Sequence, residues 1–228
     1  MGRPRRIVLL RHGESEANID PYVYERLPDH AIPLTARGVE QSQAIGATLR
    51  ALFGDGDVQV YLSPYLRTHQ TLRALGIDDL ITSVTEEPRL REQDWANYQD
   101  TADIIRQKEL RDRYGHFYYR FTDGESGADV YDRVSTFLET LHRQFGRDNY
   151  PDNTLLVTHG LTMRLFCMRW FHWSVEYFES LSNPGNGECR SLIRGSDGRY
   201  TLDVPFAQWR PAATVAYRPN RAGTPPAP

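Results

Sequence analysis

Two segments far apart in the chain end in the same way. Residues 7–13, IVLLRHG, run four branched apolar residues into Arg11, His12 and Gly13, and residues 155–160, LLVTHG, run a second apolar stretch into Thr158, His159 and Gly160. A strand that stops at His-Gly delivers an imidazole to the carboxyl edge of a sheet, which is where open α/β sheets bind ligands. If the two strands are neighbours, about 4.8 Å apart, His12 and His159 face one pocket with Arg11 beside them. Gly13 and Gly160 are expected to let the backbone turn sharply and come close to a ligand. A helix starting just after each glycine would aim unpaired N–H groups at an anion. Such a pocket suits a phosphoryl group, because a neutral imidazole can attack phosphorus and carry it covalently. Phosphoryl transfer then needs mainly positioning and positive charge around the equatorial oxygens. A single strand-end histidine is most often structural. The doubled device, with an arginine in one copy, favours a dianion pocket without separating a phosphatase from a phosphate-binding module.

The elements that would hold these residues alternate. The run 7–10 predicts a strand covered on both faces. Thr35 is placed to cap a helix through ARGVEQSQAIGATLRALF, with Ile45, Leu49, Leu52 and Phe53 at helical spacing. A short strand is expected over 58–62, and Ser63 and Pro64 to cap and start the next helix. ITSVTEEPRL predicts another strand. Ser126 and Asp129 form a capping-box-like start to a helix whose apolar stripe is Val130, Val134, Phe137, Leu138, Leu141 and Phe145. A helix over 161–171 follows the second His-Gly pair, and ECRSLIRG with RYTLDV predicts a hairpin turned at Ser196-Asp197-Gly198. The alternation implies an α/β fold, a three-layer α/β/α sandwich with a mostly parallel central sheet. One domain over 1–204 is expected. Residues 95–123 read as an inserted lid or side wall, with a helix near 101–114 and the aromatic run YGHFYYRF. The proline-rich 205–228 reads as an extended or disordered tail.

Composition narrows the function. The 228 residues carry a formal charge of −3, with 39% hydrophobic and 25% charged residues. That balance gives no support for a nucleic-acid or membrane-surface role, so any anion recognition must be local. Lys108 is the only lysine. A phosphate site is therefore expected to use arginines, whose planar forks grip two oxygens at once, together with histidines or backbone N–H groups. Cys167 and Cys189 are far apart and have neither disulfide-framework nor zinc spacing. No metal and no cofactor is expected, since no His/Asp/Glu cluster has ligand spacing. No apolar run reaches membrane-spanning length, and the apolar segment of MGRPRRIVLL is too short for a signal peptide. A cytoplasmic protein is expected; composition leaves a homodimer open.

LLRHGESEAN resembles the signature of the histidine phosphatase superfamily, the phosphoglycerate mutase-like branch. PLTARGVEQ, YLSPYLRTHQT, RLREQDWANYQ, DGESGADVYDRV and VTHGLTMR follow in that family's order, so the resemblance runs to about Val204. It implies that His12 becomes phosphohistidine and that Arg11, Arg67 and His159 bind the transferred group. Asn18 would add a hydrogen bond, and Glu92 would protonate the leaving oxygen and then activate water. From the residues alone, Arg67 follows a strand end in the first turn of a helix, where a phosphate clamp belongs. Glu92 is flanked by Arg89 and Arg91, and a carboxylate so placed is more often one half of a surface ion pair.

The same chemistry serves a hydrolase or a mutase. Mutases of the family surround a small anionic substrate with extra basic residues, and their characteristic arginine pair is absent here. The insert offers Tyr98, Tyr114, Phe117, Tyr118, Tyr119 and Phe121, which predict an aromatic wall for a nucleotide, sugar or aryl phosphate. Tyr98, Tyr119, Arg120 and the backbone at Gly160 are taken as substrate contacts. Trp95 reads as core, and His30, His69, His116, His142 and His172 read as bystanders. LREQDWANYQ and FYYRFTDGES are similar to broad-specificity, acid-phosphatase-like members. The expectation is a phosphomonoester hydrolase acting on small organic phosphates. A cofactor-dependent phosphoglycerate mutase and a non-catalytic phospholigand-binding protein are the alternatives.

Overall fold

The strand that carries His159 at its end is buried at every residue. That strand is β4 (Asn153–Thr158), at the centre of a six-stranded sheet ordered β3-β2-β4-β1-β5-β6. The structure, a computed structural model, describes residues 3–96 and 100–209. In chain order its strands are β1 (Arg6–Arg11), β2 (Val58–Leu62), β3 (Ile81–Glu86), β4, β5 (Cys189–Arg194) and β6 (Tyr200–Leu202). The α-helices are α1 (Glu16–Ile19), α2 (Ala36–Phe53), α3 (Leu66–Ala74), α4 (Thr101–Tyr114), α5 (Gly127–Phe145), α6 (Gly160–Phe171) and α7 (Val175–Glu179). Strands β3, β2, β4 and β1 are parallel; β5 and β6 continue the sheet antiparallel.

Residues along a strand point alternately to opposite faces, and the cores divide accordingly. Ile7 and Leu9 of β1, Tyr61 of β2 and Leu156 of β4 pack with the α5 stripe and with Leu165 and Phe166 of α6. Val8, Leu10, Val58, Val60, Leu155 and Val157 pack on the other face, against Leu49 and Phe53 of α2 and against Leu75. This is the expected three-layer sandwich. Thr35 caps α2 by accepting from the Gly38 N–H, and Ser126 with Asp129 closes the capping box of α5.

The register decides the site. Arg11 of β1 lies opposite Thr158 of β4, and Leu62 of β2 lies opposite Val157. The next residue on each strand, His12, His159 and Ser63, therefore emerges at the same carboxyl edge.

Four local expectations need correction. Helix α3 starts at Leu66 with Tyr65 as its N-cap, because the Ser63 hydroxyl is occupied by His159 and the Ser63 carbonyl accepts from Thr68 Oγ1. No helix starts right after Gly13. The N–H groups of Gly13, Glu14 and Ser15 are taken by Thr71, Gln41 and Asn18, and the four-residue α1 begins only at Glu16. Gly13 is needed for packing rather than for ligand approach, since a Cβ there would overlap the Gly38 carbonyl of α2. Residues 205–209, read as tail, lie on the body, with Phe206 buried and Trp209 N–H donating to the Ser180 carbonyl. The rest of the proline-rich stretch lies outside the described residues.

Candidate active site

His12 is 2% exposed, and its Nδ1 lies 2.7 Å from the Gly13 carbonyl oxygen. A carbonyl only accepts, so Nδ1 carries the proton and Nε2 keeps its lone pair. Burial holds the His12 pKa well below the usual histidine value, and the charges of Arg67 and Arg11 push the same way. The ring is therefore neutral at ordinary pH. His159 lies 5.2 Å from it, centroid to centroid, at 63°. It is fully buried and likewise held neutral by burial and by the nearby charges of Arg67, Arg133 and Arg11. Its Nε2 shares a hydrogen bond of 2.8 Å with Ser63 Oγ, and Tyr65 packs on its edge. Its Nδ1, 3.7 Å from Glu92 Oε2, has no hydrogen-bond partner among the described residues.

The arginines differ. Arg67 is almost fully buried and donates through Nη1 to both the carbonyl and Oδ1 of Asp29, at 2.7 and 2.9 Å. Burial works against its charge, but Asp29 and Glu92 outweigh it and leave its pKa raised. Arg11 donates through Nη1 to the Pro184 carbonyl at 2.6 Å, while its buried Nε has no partner among the described residues. Two unpartnered buried groups at one site, Arg11 Nε and His159 Nδ1, are what a pocket built for a ligand leaves behind. Asn18 accepts through Oδ1 from the Ser15 N–H and from Asn186, which leaves its amide hydrogens for another acceptor. Gly160 opens α6 with Asn183 against it, so its N–H group stands at a helix start.

Glu92 does not pair with its neighbours in sequence. Arg89 is bound to Glu87 and Arg91 to Glu125. The Glu92 side chain is 18% exposed, and burial raises its pKa against the opposing effect of Arg67. Its backbone is strapped down. Thr158 Oγ1 donates to the Leu90 carbonyl, Thr162 Oγ1 to that of Arg91, and Arg133 to the carbonyls of Arg89, Arg91 and Glu92.

Arg11, His12, Asn18, Arg67, Glu92 and Gly160 line one cavity of about 220 Å³. A larger cavity of about 700 Å³, bordered by Arg3, His142 and Trp170, holds none of them; the convergent charges make the smaller one the candidate site. The insert meets this pocket differently from expectation. Tyr98 lies outside the described residues. Tyr119 packs against Tyr114 and Phe121, and Arg120 is largely exposed and bound to Asp129; neither lines the pocket. Phe117 and Phe121 are core, while Tyr114 and Tyr118 face solvent. Of these aromatic residues, only Phe117 and Phe121 belong to the insert's own interior. What reaches the pocket is Lys108, Arg111 and His116, together with Trp95. Lys108, left out of the expected phosphate site, and His116, read as a bystander, both border this cavity. On the 3.6-residue period, positions 108 and 111 share one face of α4, and that spacing was available in the sequence. Asp29, Ser63, Tyr24 and Asn183 carried no comparable signal.

Residues 7–205 match the histidine phosphatase superfamily (branch 1), and the chain belongs to that family. Among its relatives, the phosphoglycerate mutase-like protein AT74 of Arabidopsis thaliana is 46% identical over 88% of this chain and 68% of its own. The broad-range acid phosphatase DET1 of Saccharomyces cerevisiae is 30% identical over 91% of both. A mycobacterial glucosyl-3-phosphoglycerate phosphatase superposes with a TM-score of 0.68 at 26% identity, covering 89% of this chain and 99% of the other. The chain is a phosphatase of the histidine class. No helix among the described residues is long and apolar enough to cross a membrane.

Proposed function

We propose that the protein hydrolyses small organic phosphomonoesters through a phosphohistidine on His12, without a metal. Nε2 of His12 attacks phosphorus while the bond to the leaving oxygen breaks, and protonated Glu92 gives that oxygen its proton. Arg11, Arg67, His159, Asn18 and the Gly160 N–H hold the equatorial oxygens. Water then attacks phosphorus, its proton passes to the Glu92 carboxylate, and the P–N bond breaks to release phosphate and restore His12. The observation that carries this reading is the state of His12, a buried neutral imidazole whose Nδ1 is tied to a carbonyl while two guanidinium groups converge beside it. The raised pKa of Glu92 supports its acid role, and the name of the yeast relative supports broad specificity.

The test is a rapid mix with a ³²P-labelled phosphomonoester, quenched in alkaline denaturant because a P–N bond is acid-labile. Label is expected on the protein and absent from His12→Ala, and dialysis against a chelator is expected to leave turnover unchanged. Turnover without labelled protein would refute the covalent step. The second reading, a cofactor-dependent phosphoglycerate mutase, gains from the basic residues Lys108 and Arg111 in the pocket. A coupled assay with 2,3-bisphosphoglycerate present separates it, since only a mutase interconverts the 2- and 3-phosphoglycerates without net phosphate release.

A further inference from the structure

Residues 183–188, NPGNGE, lie between α7 and β5 and back the segment that carries His12. The contact begins in the sheet. β5 runs antiparallel to β1 with Cys189 opposite Leu10, so the residues just before Cys189 continue alongside Arg11 and His12. The Arg11 N–H donates to the Glu188 carbonyl at 3.0 Å, and the Gly187 N–H to the His12 carbonyl at 3.1 Å. Gly187 has a φ of 71°, a left-handed turn that glycine adopts without steric cost. Before that turn, the Pro184 carbonyl accepts from Arg11 Nη1.

Asn186 completes the loop's grip. Its Nδ2 lies 2.9 Å from Asn18 Oδ1, and 3.4 and 3.5 Å from the carbonyl oxygens of His12 and Gly13. Three oxygens face that side of the amide, so that side is the NH₂. Asn18 Oδ1 also accepts from the Ser15 N–H at 2.9 Å and from Ser15 Oγ at 3.0 Å. A hydroxyl can reverse its role and accept, whereas an N–H cannot. The Ser15 N–H and Asn186 are therefore the two fixed donors, and Asn186 alone comes from a distant part of the chain. Asn18 is exposed, so packing does not lock its amide. Without Asn186, a single backbone N–H keeps that amide from turning over. Turned over, it would present Oδ1 to the phosphoryl oxygens and repel them.

We propose that Asn186 is a positioning residue for phosphoryl transfer, setting the Asn18 amide so that Nδ2 faces the transferred group. This rests on the reading above that Asn18 holds an equatorial oxygen. One loop thereby fixes the Arg11 guanidinium, the His12 backbone and the Asn18 donor before substrate arrives, which is how preorganised donors lower a barrier.

The experiment is a double-mutant cycle of wild type, Asn18→Ala, Asn186→Ala and the double variant. It reads kcat/KM for p-nitrophenyl phosphate and inhibition by vanadate, a mimic of the five-coordinate transition state. Asn18→Ala removes one hydrogen bond to a charged oxygen and is expected to cost about tenfold or more. Asn186→Ala is expected to cost about three- to tenfold on both readouts, and less than about twofold once Asn18 is alanine. Asn186→Ser runs the same cycle should Asn186→Ala fail to fold. Equal losses from Asn186→Ala with and without the Asn18 amide overturn the proposal, because general damage to the loop is additive with Asn18→Ala. Full activity in Asn186→Ala overturns it too. If Asn18→Ala is itself silent while wild type still labels His12, the proposal falls and the phosphatase reading stands. Wild type that neither turns over nor forms phosphoenzyme overturns both.

Discussion

Arg133 touches no substrate position, yet it holds the strand of backbone that carries Glu92. Its guanidinium donates to the carbonyls of Arg89, Arg91 and Glu92 at 2.6, 3.0 and 3.0 Å and pairs with Glu125 at 3.0 Å, with a side chain 10% exposed. Replacing it by methionine leaves the Arg89 and Glu92 carbonyls without a donor among the described residues, Thr162 still serving Arg91, and removes one arm of a largely buried pair. Breaking such a pair costs roughly 3–5 kcal/mol. At about 2–4 °C per kcal/mol for a chain of this size, the melting temperature should fall by roughly 6–20 °C. The effect on catalysis is separable from this. If Arg133 positions the Glu92 carboxyl, its loss removes part of the proton transfer to the leaving oxygen, a contribution of about 10²–10⁴ at most. Nitrophenolate leaves without help, whereas an alkoxide does not. The assay is kcat/KM at a temperature well below the melt, for p-nitrophenyl phosphate and for an alkyl phosphate. Arg133→Met should lose about tenfold or more on the alkyl ester and less than about threefold on the aryl ester. Equal losses on the two esters, or a variant that melts low yet retains full alkyl activity, would refute the positioning argument.

The proposed mechanism requires neutral His12 and protonated Glu92. The pKa of His12 is held low, so the nucleophile survives into acid; the pKa of Glu92 is raised, so its acid form persists above the ordinary carboxylate range. kcat/KM for alkyl esters should therefore fall as pH rises through the Glu92 pKa, and Glu92→Gln should abolish that limb along with most of the rate. Asp29→Ala should leave Arg67 buried without its carboxylate and lower stability by about 3–5 kcal/mol in urea titration, with a weaker grip on inorganic phosphate. Gly13→Ala should cost about 1–3 kcal/mol, because the added methyl meets the Gly38 carbonyl; a thermal melt within 1–2 °C of wild type would contradict that packing.

The sheet was legible because its code is short-range. Ile7–Leu10 and Leu155–Val157 are unbroken apolar runs, and runs of that kind must be covered on both faces. The α5 stripe was legible for the same reason, all six of its positions being buried. The meeting of His12 and His159 followed from two strand ends and one assumption of adjacency, which the register Arg11–Thr158 supplies. The insert resisted because α4 has a weak pattern. Its aromatic residues could line a ligand or each other, and composition does not choose. Its few buried side chains, Thr101, Ile104 and Gln107, share one face, but only Ile104 is apolar, so no hydrophobic stripe marks the helix. Long-range polar partners such as Asp29 for Arg67, Ser63 for His159 and Glu179 for His116 have no signature in sequence at all, because nothing in local spacing links residues 38, 96 or 63 positions apart.

The order of the strands has a mechanical consequence. β1 and β4 are paired although their contacting residues are 147 positions apart, as Arg6 and Asn153 are, and β2 flanks them. An oxyanion seated among His12, Arg67 and Gly160 would bridge the tips of all three, acting as a rivet through segments that the chain visits early, midway and late. Vanadate or phosphate should then slow amide exchange along β4 and stabilise the fold by RT ln(1 + [L]/Kd), a gain that keeps rising after the site is full. The cell's own phosphate would in this way tighten the fold that consumes its esters.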